Sequence, residues 1–222
     1  MSSILETQIE AAEHEWLDTW QRGPTRLRWS KIPLQVGDRA PDVELQDSSG
    51  AGVHLRDTWN NSPAVLIFLR HFGCGCAFDR TERLKIECAD YVRLGAQVVT
   101  IGQGEPKRSR VFAQQRGLPC PIWCDPTRRA YEAYDLLEAK PSQVAYGMPD
   151  EFLRCDYAVA AQLQQSRHGT ERATVDSPWQ LPGEFVIDQQ GVIRLAYRSQ
   201  YCADFADPQV LMAAITEAKL GL

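Results

Sequence analysis

The hydrophobic pattern of the chain changes period at one place that organises the rest. Residues 64–69, AVLIFL, are a continuous run of branched and aromatic side chains, the pattern of a strand buried on both faces of a sheet. The run stops at Arg70 and His71, and from Ala77 to Leu94 apolar residues recur at helical spacing, with Leu84, Cys88 and Tyr91 on one stripe. That spacing makes Cys88 a small core hydrophobe. A second buried strand, AQVVTI at Ala96–Ile101, leads through Gly102-Gln103-Gly104-Glu105-Pro106 into a helix that runs to about Arg116. The LPCPIWCD segment, Leu118–Asp125, holds a short strand, and Thr127 to Leu137 suits a short helix.

Alternating segments flank this centre. Val43-Glu44-Leu45 and Val53-His54-Leu55 surround the turn Asp47-Ser48-Ser49-Gly50, and Glu184–Ile187 and Val192–Tyr197 surround Asp188-Gln189-Gln190-Gly191, so each pair reads as a hairpin. A last helix, Pro208 to Lys219, carries Val210, Leu211, Ala214, Ile215 and Ala218 on an apolar face. Strands interleaved with helices predict an α/β fold, a central mixed sheet with helices on both faces. At the other end, Leu5, Ile9, Ala12, Trp16 and Trp20 mark an amphipathic helix that Gly23-Pro24 terminates. Residues 1–35 are therefore expected to be a helical extension of one domain spanning 36–222. Its apolar face suits the domain itself or a second subunit, and a homodimer is the commonest symmetric solution. Residues 140–179 break the strand–helix rhythm and read as an insertion before the last hairpin, with Glu151–Gln165 helical and a loop following it.

Composition narrows the functional classes. The 222 residues are 44% hydrophobic, enough for one substantial core. A net charge of −5 and the lack of any Lys/Arg run argue against nucleic acid and anionic membrane surfaces as partners. No apolar stretch approaches the roughly 18 residues of a membrane span, and the acidic N-terminus is unlike an export signal, so a cytoplasmic protein is expected. The seven cysteines stand at 74, 76, 88, 120, 124, 155 and 202. An odd number in a long chain without an export signal implies reduced thiols with one redox-active pair. Cys120 and Cys124 lack the second ligand pair of a zinc site, and the glycines at 102 and 104 lack both the Walker lysine and the third glycine of a dinucleotide fingerprint. Neither metal nor organic cofactor is expected.

The chemistry lies between the buried strand and the helix. Cys74-Gly75-Cys76 sits in that loop, where the unpaired N–H groups and positive dipole end of a helix favour an anion, and a thiolate is an anion. Arg70 and His71 before the loop, and Arg80 after it, are cations that would strengthen the effect if they point at the sulfurs. His71 has two further readings, general base and metal ligand. Gly75 eases closure of the small ring that a disulfide between residues two apart requires. Cys202, in YRSQYCADF, is a candidate third redox partner.

The segments GDRAPDVEL, AVLIFLRHFGC, AQVVTIGQGEP, LPCPIWCDP with RRAYEAY, and LPGEFVIDQQGVIRLAYR together resemble the thioredoxin fold, and within it the peroxiredoxin-like proteins of the alkyl hydroperoxide reductase and thiol-specific antioxidant group, from about Val36 onward. The resemblance implies a thiol-dependent oxidoreductase acting on a hydroperoxide or a disulfide, with a thiol reductant such as a thioredoxin-type protein as partner. It places the redox centre at Cys74 and Cys76, and a cis-proline at Pro182 facing it. Typical peroxiredoxins carry Pro-x-x-x-Thr-x-x-Cys. Here His71 and Ile67 precede Cys74 at the equivalent steps back, Gly73 and Leu69 precede Cys76, and Pro182 stands where an arginine often precedes the later strand. Those departures leave a second function open, a redox-sensing or binding protein on the same scaffold.

Overall fold

The computed structural model describes residues 11, 14–15, 18–145 and 176–221. Leu5, Ile9, Ala12 and Trp16 of the first helix, Cys155, the expected helix Glu151–Gln165 and most of the loop after it lie outside them. The elements are β1 (Glu44–Asp47), β2 (Gly52–His54), β3 (Ala64–Phe68), α1 (Gly75–Arg93), β4 (Gln97–Gly102), α2 (Pro106–Arg116), β5 (Ile122–Cys124), α3 (Arg129–Ala133), α4 (Pro141–Ala145), β6 (Gly183–Ile187), β7 (Ile193–Arg198) and α5 (Pro208–Leu220). They build one seven-stranded mixed sheet in the order β2-β1-β5-β4-β3-β6-β7. Strand β3 runs parallel to β4 and antiparallel to β6, in register Phe68↔Ile101 and Phe68↔Gly183.

Every residue of β3 is buried because the sheet is covered on both sides. Val65, Ile67 and Leu69 face a core made with Leu84, Cys88 and Tyr91 of α1, Phe112 of α2 and Leu211 and Ile215 of α5. Leu66 and Phe68 face the opposite core of Trp59, Tyr131, Tyr134 and Phe185. The longer helices thus share one face, while α3 and the 3₁₀ turn Leu55–Thr58 cover the other. Both hairpins form as the alternation predicts. Asp188 accepts N–H bonds from Gln190 and Val192, each at 2.9 Å, which closes the β6–β7 turn.

The glycine turn after β4 has a packing role. A Cβ on Gly102 would lie 2.5 Å from the Phe72 ring, and one on Gly104 would also collide with it. Phe72 stacks on Phe112 at 4.4 Å, so the two missing side chains let the residue just before the thiol loop anchor in the core.

A buried ion network joins α1 to β6. Arg80 donates through Nη1 to Glu87 at 2.7 Å and through Nε to Glu184, whose other oxygen accepts the Ala206 N–H at 3.1 Å. Tyr91 completes it, donating to Glu87 at 2.9 Å. Burial opposes the Arg80 charge, but Glu184 and Glu87 outweigh it and hold the guanidinium above its ordinary value. Burial also pushes the Glu184 carboxyl up, with Arg80 pulling it back.

The segment before β1 lies along residues 135–138. The Thr25 and Arg26 N–H groups donate to Glu138 Oε2 at 2.6 and 3.1 Å, the Leu34 N–H donates to Asp135 at 2.9 Å, and the Trp29 indole donates to the Asp135 carbonyl at 2.8 Å. Trp20 stacks on Trp179 at 4.3 Å, so this tryptophan of the first helix is used within the chain.

Two predictions follow from these buried charges. Arg80→Met leaves Glu184 and Glu87 without their cation and is expected to cost about 3–5 kcal/mol in urea unfolding at neutral pH. Because the folded Glu184 value is raised, the loss is smallest at acid pH, where the carboxyl takes a proton, and Glu184→Gln added to Arg80→Met recovers part of it. Glu138 behaves in the opposite sense. Burial acts to raise its pKa, but the Thr25 and Arg26 N–H groups and the charges of Arg128 and Arg26 hold it below the ordinary glutamate value. A lowered folded pKa contributes stability above the unfolded value of about 4.3 and loses it as pH falls through the folded one. The urea-midpoint gap between wild type and Glu138→Gln should therefore be widest near neutrality and close below about pH 4.

Candidate redox site

The helix α1 begins two residues earlier than its apolar stripe predicts, which separates the two cysteines by environment. Cys74 is the N-cap, with extended φ −83° and ψ 134°, while Cys76 is already inside the first turn. The Cys74 N–H closes a turn on the His71 carbonyl at 2.9 Å, and the Ala77 N–H donates to the Cys74 carbonyl at 3.0 Å. The two sulfurs are joined as a disulfide, with Cα atoms 5.2 Å apart. Cys76 is 7% exposed, whereas Cys74 is half-buried, so Cys74 is the more accessible residue of the pair. At an N-cap a side-chain oxygen ordinarily accepts the N–H of the second or third helical residue.

The loop is held by groups distant in sequence. Asp176 accepts the Phe72 N–H at 3.0 Å through one oxygen and Arg108 at 2.9 Å through the other, and Gln103 accepts the Ser177 N–H at 3.0 Å. Nothing in the sequence signalled Asp176, because it lies at the end of the irregular segment.

The candidate residues divide. Arg70 is 1% exposed; its Nη1 donates to Cys202 Sγ and its Nη2 to the Pro178 carbonyl. Arg80 is engaged by its two glutamates. The sequence leaves open whether these arginines point at the paired sulfurs; the carboxylates of Glu184 and Glu87 hold one, and a third thiol holds the other. Of His71, the structure ties the backbone carbonyl to the thiol turn. Gly75 has no positive φ, and a Cβ there would meet nothing within 4 Å, so the loop does not depend on its missing side chain. Pro182 lies against the site, but no cis peptide bond occurs among the described residues, and the Leu181–Pro182 bond is trans. The extended trans entry serves both neighbours: the Leu181 N–H reaches the Leu137 carbonyl at 3.1 Å, and the Pro182 carbonyl accepts the Ser199 N–H at 3.3 Å.

Cys202 does come to the centre. Cys76, Cys202, Trp179 and Leu181 share one buried cluster, with Cys74 and Trp20 packed against it. Cys76, Cys202, Arg70, Arg80 and Pro182 line one cavity of about 10 Å³. Burial pushes the Cys202 thiol up and the Arg70 guanidinium down, while each favours the charged form of the other. The other described thiols, Cys88, Cys120 and Cys124, lie elsewhere. Cys88 and Cys120 share one core cluster, where Cys120 pulls the Cys88 thiol down to about 7 against burial while its own is raised. Cys124 donates to the Asp47 carbonyl at 3.6 Å, so Cys120 and Cys124 diverge.

Comparison with known proteins agrees with this architecture. The AhpC/TSA family model matches residues 36–196. The chain is 28% identical over 102 residues to the thioredoxin-like protein AAED1, chloroplastic, of Arabidopsis thaliana, covering 46% of this chain and 41% of that protein. It is 32% identical over 99 residues to peroxiredoxin bcp1 of Schizosaccharomyces pombe, covering 42% and 48%. The matches thus span about half or less of those relatives' lengths. The crystal structure of a peroxiredoxin-like protein from Aquifex aeolicus superposes with a TM-score of 0.58 at 13% identity, over 88% of this chain and 92% of that one. No helix among the described residues is long and apolar enough to cross a membrane. With a family match over most of its length, and a mixed sheet that carries a cysteine pair where a central strand hands over to a helix, the chain belongs to the AhpC/TSA family and has a thioredoxin-like fold.

Proposed function

We propose that the protein is a thiol-dependent oxidoreductase whose redox centre is the Cys74–Cys76 pair. The observation that carries this reading is the pair itself, two joined sulfurs at the N-terminus of a 19-residue helix with Cys74 at the N-cap. Family membership supports it, as does the relation to a protein named peroxiredoxin bcp1.

Roles follow from the two environments. Cys74, toward the surface and at the N-cap, is the sulfur an outside molecule reaches, so it is the attacking thiolate of the reduced protein. With a hydroperoxide, Cys74 S⁻ takes the terminal oxygen: the S–O bond forms, the O–O bond breaks and an alcohol leaves after taking up a proton. Cys76 S⁻ then attacks the sulfenic sulfur, forming the disulfide and releasing water. With a disulfide substrate, Cys74 attacks one sulfur, a thiolate leaves, and Cys76 displaces the second. A thiol reductant, of the thioredoxin type, returns the pair to the dithiol by the reverse exchange. The cavity beside Cys76 has room for about one water, so large substrates are met on the Cys74 side.

The test is stopped-flow reaction of the reduced protein with hydrogen peroxide, a small organic hydroperoxide and a model disulfide, in wild type, Cys74→Ser and Cys76→Ser. Wild type should outpace free cysteine with at least one of the three. Cys74→Ser should fall to the free-cysteine rate. Cys76→Ser should keep the first step and stall, as a dimedone-reactive sulfenic acid with peroxide or a mixed disulfide with the model compound. Wild-type rates no faster than free cysteine with all three substrates would overturn the reading.

A further inference from the structure

Arg70 poses a question that the exchange reading does not answer. Its guanidinium is buried, and a guanidinium keeps its charge in proteins. Its two terminal nitrogens donate to the Cys202 sulfur and the Pro178 carbonyl, and neither is paired with a carboxylate among the described residues. Arg80, on the same cavity, has two carboxylates. Arg70 Nε and Arg80 Nη2 are also buried without a hydrogen-bond partner among the described residues. The cavity that Cys76 and Cys202 share is thus lined by two cations with unused donors, and one of them rests on the Cys202 sulfur. The Arg70 donor on Cys202 Sγ favours negative charge on that sulfur.

Resting on the exchange reading above, we infer that Cys202 is a third thiol of the same centre, which attacks Cys76 Sγ of the oxidised pair and forms a Cys76–Cys202 disulfide. The Cys202–Cys76 bond forms as the Cys74–Cys76 bond breaks, and Cys74 leaves as a thiolate. The proton lost from Cys202 is matched by the one Cys74 can take up, so the step is an isomerisation that needs no added oxidant or reductant. Cys76 is the sulfur attacked because it lines the shared cavity. Cys74 is the better leaving group because it departs at a helix N-cap, where a thiolate is favoured. The disulfide is thereby drawn into the buried cluster of Trp179 and Leu181, and Cys74 is freed at the surface for a second encounter.

The experiment maps disulfides by mass spectrometry after N-ethylmaleimide blocking at neutral pH, in wild type and Cys74→Ser treated with one equivalent of diamide. Cys74→Ser should yield an intramolecular Cys76–Cys202 linkage. Partly oxidised wild type should contain, besides Cys74–Cys76, a fraction in which Cys76 and Cys202 are linked and Cys74 is alkylated. That fraction supports the inference whatever the stability of the variant. Should wild type form Cys74–Cys76 alone, with Cys202 alkylated both there and in Cys74→Ser, this inference fails and the exchange reading stands. Should wild type form no linkage among the three cysteines, both fail.

Discussion

The ion network centred on Arg80 is the constraint on which the site depends. Its charge sits at the start of α1, one turn past Cys76, and is spent on Glu184 in the strand next to β3 and on Glu87 two turns further along the same helix. A helix packed only through Leu84, Cys88 and Tyr91 could slide along the sheet at little cost, because dispersion contacts are non-directional. A buried guanidinium cannot move away from its carboxylates without leaving charge unpaired in a medium of low dielectric. The network therefore fixes where α1 begins relative to β6, and with it the position of the N-cap that carries Cys74.

The fold was legible because its signals are local and periodic. The AVLIFL run, the two alternating hairpins and the Leu84/Cys88/Tyr91 stripe each state a burial pattern within a few residues, and the structure follows them to within a residue or two. The position of the thiol pair was legible for the same reason. The surroundings of the pair were not. Whether Arg70 points at Cys74 or at Cys202 depends on contacts 132 residues apart, and Asp176 reaches Phe72 across 104. No window of sequence holds both partners of such a contact. Gly75 misled in a different way, since glycine between two cysteines suggests a demand for space that the helical backbone there does not make.

Two arginines ten residues apart show how little residue type says about role. Each is fully buried, each lines the cavity beside Cys76, and each follows from the same step in the pattern, a cation where an apolar strand meets a helix. Arg80 meets carboxylates, so at neutral pH its charge is neutralised by two anions and its contribution is architectural. Arg70 meets a thiol and a carbonyl, so its neutralisation depends on the ionisation of sulfur. A group that titrates or changes covalent state is the only kind of partner that can make a buried cation responsive to redox chemistry.

The two faces of the cysteine pair then acquire a physical reason. A disulfide exposed at both sulfurs would exchange with any passing thiol, and one buried at both would exchange with none. Starting α1 at Gly75 puts Cys74 at the cap and Cys76 one step inside, so a single residue of helix separates an accessible sulfur from a protected one. Trp20, stacked on Trp179, packs against the cluster that holds the protected side, so the N-terminal helix contributes to the low dielectric around Cys76 and Cys202. In that environment the energy of a thiolate depends on which cation faces it more than on bulk pH. Directionality in the proposed exchange therefore follows from the different depths of the two cysteines, with Arg70 on the Cys202 sulfur and Arg80 held by its carboxylates.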